Sequence, residues 1–186
     1  MFSGLNNKNG FLLIELIVAV FVIVVGILSV YFVISQSISK IHESSLRLTA
    51  AYLAQEGMEI VRNIRDTNWV KGEENWDEGL GADLAAGEYK EYEADYDDPS
   101  LEKLDCSSCG YEDLSPLKLK IDEENHDEEN NKGFYNYDSG DETSFRRKIK
   151  IEKISGEELK VSVEVLWKYK GKENSITVTE ILHNWY

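Results

Sequence analysis

The chain has 186 residues and a mass of 21.3 kDa, room for one ordinary domain with an appendage and not for a multidomain enzyme. Its net charge of −15 has the wrong sign for a protein that draws affinity from neutralising phosphates, so nucleic acid is not an expected partner. Two prolines, 13 glycines and no repeat period exclude collagen-like and solenoid architectures, and two cysteines are too few for a disulfide-built scaffold.

The averages conceal three unlike regions. Phe11 to Ile34 holds a single ionisable residue, whereas Asp66 to Glu142 holds 25 acidic against 6 basic residues, leaving 10 against 14 for the rest of the chain. At the start, Met1 to Gly10 is short and polar, with Lys8 and no acid. The apolar run that follows covers 24 residues, about 36 Å as a helix, against a hydrocarbon core of about 30 Å. It can span a bilayer. A cleaved secretory signal has a shorter apolar core, and Ser35-Gln36-Ser37 is a poor version of its small-x-small cleavage site. Lys8 and the short tail favour the cytoplasmic side, which sends the acidic remainder outside, although Lys40 and Arg47 weaken the asymmetry.

Glu15 is the informative residue of this run. A carboxylate inside a membrane helix costs roughly 2.5–3.5 kcal/mol on insertion scales, so it either snorkels to the headgroups or finds a partner. Its setting, Gly10-Phe11-Leu12-Leu13-Ile14-Glu15-Leu16, resembles the cleavage and methylation signature of type IV prepilins and of the pseudopilins of type II secretion. The resemblance implies a leader ending at Gly10, removed by a prepilin peptidase, and a mature N-terminus at Phe11 that the same enzyme methylates. Glu15 is then the acid kept for assembly. It further implies a pilin fold, other pilin subunits in a helical filament, and an inner-membrane assembly platform as partners. Leu12 stands where the family usually has Thr, and Phe32 where many major pilins have a helix-bending Pro.

Beyond Ile34 the helical pattern continues to about Asp66. Ala50, Leu53, Ala54, Gly57, Met58, Ile60, Val61 and Ile64 share one stripe, with Arg47, Gln55, Glu59, Arg62 and Arg65 assigned to the opposite side. The expected organisation is a leader over 1–10, a transmembrane or filament-core helix over 11–34, and an amphipathic helix over 35–66. An acidic region of loops over 67–142 and an antiparallel sheet over 143–186 follow.

The acidic interval shows no sustained period and is rich in Gly, Asp, Asn and Tyr, which reads as loops with short local elements. Trp69 and Trp76, with Tyr89, Tyr92 and Tyr96, are expected to pin these loops to the head. Three acidic clusters have oxygen ligands for a divalent cation such as calcium: Asp95 with Asp97, Asp138 with Asp141, and the run Asp122 to Glu129. None matches the calcium-loop pattern, so a solvated face is the preferred reading and no metal or other cofactor is expected. Cys106 and Cys109 form one C-x-x-C, with too few histidines nearby for a structural zinc; a short-range disulfide or free thiols remain.

The C-terminal third reads as sheet. Leu159, Val161, Val163, Val165, Trp167 and Tyr169 alternate with polar residues, flanked by strands over 145–154 and 175–182 across hairpin-length links. This predicts a three-stranded antiparallel meander whose apolar face is covered by the helix stripe, an α+β fold. Gly133 to Tyr137 with Thr143 to Ile149 resembles the lead-in to the sheet of minor pilins, and packing on the sheet edge is its plainer reading.

No nucleophile elbow, phosphate loop or zinc-protease helix is present, and an enzyme is not expected. Two functional readings follow. The first is a structural subunit, a minor pilin, of a type IV pilus or a type II secretion pseudopilus, located in the cytoplasmic membrane and then in a surface or periplasmic filament. The second is a monomeric single-pass binding module with an acidic extracytoplasmic head. A DNA-capturing pseudopilin is disfavoured by charge and rests only on the basic strand Arg146, Arg147, Lys148 and Lys150.

Overall fold

The computed structural model describes residues 13–96, 100–106, 108–119, 135–138 and 140–185. One long helix, α1 (Leu13–Lys71), precedes an antiparallel sheet region, an α+β, pilin-like order of elements. The chain divides into two compact units at Ser45 and Leu46, and α1 contributes residues to both.

Within the unit from Leu46 onward, the helix buries Ala50, Leu53, Ala54, Gly57, Met58, Val61, Arg65 and Asn68, a three-four spacing that continues the expected stripe for about one further turn. The helix ends at Lys71 and not near Asp66. Gly72, at φ +71°, donates its N–H to Trp69 O at 3.1 Å, and Glu73 donates to Asn68 O at 3.0 Å, the paired bonds of a Schellman cap. A left-handed residue is needed there and glycine supplies it without a Cβ penalty.

The sheet has five strands in the order β2-β1-β6-β7-β8, all antiparallel: β1 (Tyr89–Glu93), β2 (Glu102–Lys103), β6 (Phe145–Ser155), β7 (Glu158–Tyr169) and β8 (Lys172–His183). The expected meander is therefore three strands of five, and the acidic interval supplies the other two. β8 starts three residues earlier than expected because the β7–β8 hairpin turns in only two residues. Lys170 at φ 51° and Gly171 at φ 76° have the two positive φ values that a type I′ turn requires. A separate small sheet joins β3 (Lys118–Leu119) between β4 (Tyr135–Asn136) and β5 (Asp141–Glu142).

The inner face of the large sheet is formed by Ile149, Ile151, Leu159, Val161, Val163, Val165, Trp167 and Leu182, all buried against the helix stripe together with Trp76 and Leu80 from the segment after the helix. Gly57 sets the closeness of that contact. A Cβ there would lie 2.9 Å from Val163 Cγ1 and 3.0 Å from Arg147 Cδ, so only glycine lets the helix lie this close to β6 and β7. Tyr135 meets Phe145 edge-on at 5.9 Å between ring centroids, which packs the aromatic lead-in on the sheet.

Candidate functional site

In the first unit, every residue from Leu13 to Ile34 is exposed. Eighteen of them are large apolar side chains, among them Phe21, Tyr31 and Phe32. Burying such a side chain is worth roughly 1.5–3 kcal/mol, so together they represent tens of kcal/mol, more than the total stability of a typical domain, about 5–15 kcal/mol. A helix of this kind requires a solvent other than water. It is long and apolar enough to cross a membrane. Its polar atoms are suited to that role, because the Ser29 hydroxyl donates to Val25 O at 2.8 Å and the Ser37 hydroxyl to Val33 O at 2.9 Å, satisfying each within the helix.

Glu15 lies in the first turn of α1 and is exposed. The N-terminal end of a helix favours a carboxylate. Among the described residues, no side chain bonds to it. Gly10 and Phe11, the two other positions of the expected signature, lie outside the described residues, as do Asp97 and the acidic run Asp122 to Glu129.

The remaining candidate residues of the head have structural partners. Asp95 accepts the Tyr96 N–H at 2.7 Å through one oxygen and the Tyr137 N–H at 2.8 Å through the other, so its carboxylate ties the loop before β2 to the segment after β4. Asp138 accepts from Lys118 Nζ through its backbone carbonyl at 3.3 Å, and Asp141 is exposed on β5. Among the described residues, these three aspartates do not converge on one point; the one grouping of potential ligands is Glu91 with Cys106 and Cys109. The two cysteines form a disulfide with a Cα–Cα distance of 5.5 Å. Glu91 Oε2 accepts the Cys109 N–H at 2.8 Å, and Lys148 Nζ donates to Cys109 O at 2.9 Å. The disulfide loop is thereby fastened to the outer face of β1 and β6.

The basic strand is consumed internally. Arg147 is fully buried, donating to Leu53 O at 3.3 Å, Ala94 O at 2.6 Å and Glu56 Oε1 at 3.0 Å. Lys148 lies 3.5 Å from Glu91 and 3.4 Å from Glu164. Arg146 sits over the Tyr111 ring and Lys150 over the Tyr89 ring. Two of the four cations, Arg147 and Lys148, are therefore buried, and Arg146 and Lys150 are half-buried against aromatic rings.

Periodicity misplaced one helix residue. Arg65, assigned to the polar side, is buried with its guanidinium 4.9 Å from the ring centroids of both Trp69 and Trp185, and its Nε donates to Asp66 Oδ1 at 2.8 Å. Trp69 belongs to the last turn of α1, not to a loop. Neither Arg65 nor Trp185 carried a local signal in the sequence, since the pairing joins residues 120 positions apart. No family model, curated protein or solved structure matches this chain.

Proposed function

We propose that the chain is a pilin-like structural subunit, a minor pilin of a type IV pilus or a type II secretion pseudopilus, assembled through its N-terminal helix. A prepilin peptidase removes residues 1–10 and methylates Phe11; the processed subunit then leaves the membrane for the filament through an inner-membrane assembly platform. The observation that carries this reading is the fully exposed apolar stretch from Leu13 to Ile34 with one carboxylate, Glu15, in its first turn. Cleavage after Gly10 would leave an ammonium on Phe11 at the membrane. A Glu15 carboxylate on a neighbouring subunit neutralises it as that subunit docks, and a buried charge pair that closes in one axial register fixes the stagger between subunits.

The N-terminal mass of the protein isolated from its native membrane tests the class. A chain beginning at N-methylated Phe11 is the expected result. A chain beginning at Met1, or after Ser37, overturns the proposal, and one beginning at Met1 favours the monomeric anchored module.

A further inference from the structure

The end of α1 forms one wall of an open cleft of about 900 Å³ within the head, lined by Arg65, Asp66, Trp69, Val70, Glu73 and Trp185. That volume is at the upper end of the roughly 300–1,000 Å³ of ligand clefts. We propose that this cleft binds a neutral sugar ring of an oligosaccharide, stacked on the Trp185 indole. This site is independent of filament assembly.

Its walls are held in place. The Schellman bonds fix the last turn of the helix under Trp69, and Asn184 donates its N–H to Glu157 O at 3.0 Å, holding the chain beyond β8 so that Trp185 reaches Arg65. The two indoles meet at 69° with centroids 5.6 Å apart. Yet Trp185 remains 65% exposed and Val70 88% exposed, so an aromatic face and an aliphatic side chain lie open beside the carboxylates of Asp66 and Glu73.

The charges select the ligand class. An indole face attracts cations, but the Arg65 guanidinium already lies 4.9 Å from both ring centroids and is paired with Asp66, so a second cation would meet its charge with only Glu73 left to compensate. An anion would meet Asp66 and Glu73 on a chain of net charge −15. What remains is an uncharged ligand with an apolar face and many donors. A pyranose has C–H groups on one face to lie against Trp185, and hydroxyls on its rim that donate to carboxylate oxygens, which are acceptors only.

The test uses the full chain in detergent micelles and follows tryptophan emission. Trp76 and Trp167 are buried, so changes on binding report chiefly on the exposed Trp185. Maltotetraose and the tetramer of N-acetylglucosamine serve as neutral probes, with choline and a sulfated oligosaccharide as the cationic and anionic ones. A saturable blue shift with at least one neutral sugar is expected in the parent chain; because Trp185→Ala removes the reporter, parent and variant are compared by isothermal titration calorimetry, where Trp185→Ala is expected to bind about tenfold more weakly, in keeping with the stacking energy of an aromatic contact. Glu73→Gln, a change at an exposed position that leaves the core intact, is expected to weaken binding severalfold. Saturation by choline or the sulfated probe in place of the neutral sugars, no shift with either neutral sugar at millimolar concentration, or unchanged binding in a folded Trp185→Ala each overturns the assignment.

Discussion

The two units treat charge in opposite ways. From Leu13 to Ile34 the chain carries one residue that is charged at neutral pH, Glu15, and it is exposed with no partner among the described residues. From Leu46 onward, charges are plentiful and several are buried: Arg65, Asp77, Glu91, Glu93, Arg147 and Lys148. Each of these has partners inside the fold. Asp77 pairs with Lys153 at 2.9 Å, and Glu93 accepts the Ser115 N–H at 2.7 Å. A buried charge whose partners all lie within the same unit stabilises architecture. An exposed one on an apolar helix, with no such partner, is available to a second molecule. The contrast yields separable consequences for stability and for assembly.

The largest effect is expected at Glu15. Replacing it by Gln keeps the shape and removes the charge, so filaments sheared from cells should fall at least about tenfold, the consequence of deleting one member of a buried pair worth several kcal/mol. Because Glu15 is exposed and bonds to no side chain among the described residues, the thermal midpoint of the head should not move. Normal filament yield in Glu15→Gln would end the distinction between the two units as drawn here.

Arg147 is the opposite case. Met fills much of the same volume but leaves Ala94 O without its donor, at about 1–3 kcal/mol for a buried unsatisfied group, whereas Leu53 O, in the interior of α1, keeps its intrahelical partner. Glu56 is one-third exposed and recovers hydration, which limits the penalty on that side. Arg147→Met should therefore cost about 1–3 kcal/mol, read as a lower urea midpoint with an unchanged slope. An unchanged midpoint would show that the buried cation is dispensable.

The same contrast explains which parts of the molecule were legible in the sequence. The alternation from Leu159 to Tyr169 and the stripe from Ala50 to Val61 depend on neighbours along the chain, and both are found in the structure where the periodicity places them. β1 was not legible. Tyr89-Lys90-Glu91-Tyr92-Glu93 is three-fifths charged and reads as a loop pinned by its tyrosines, yet Glu91 and Glu93 are buried in a strand because backbone donors arrive from Cys109 and Ser115, 18 and 22 residues further on. Arg65 was misassigned for the same reason, its second aromatic partner lying just beyond β8. Local pattern reveals apolar faces; it does not reveal a polar group whose satisfaction comes from a distant segment.

The smallest effect expected is a pH limb confined to the head. Tyr137 has its hydroxyl pKa pushed up by burial, with the positive charge of Arg147 working in the opposite direction, and Tyr92 and Tyr135 are also raised by burial. A raised pKa means that the neutral form is favoured in the folded state. The associated stability is fully present below the ordinary tyrosine value of 10.0 and is lost as pH rises beyond it, because the unfolded chain ionises first. Denaturation midpoints should hold level up to about pH 9 and decline above about pH 10. Tyr137→Phe removes one of these protons, so its decline should be shallower, while its stability at pH 7 should change by only about 1 kcal/mol. Glu15→Gln should follow the parent curve throughout, since the groups that titrate here belong to the unit from Leu46 onward; a shifted alkaline limb in that variant would mean that the two units share their stability after all.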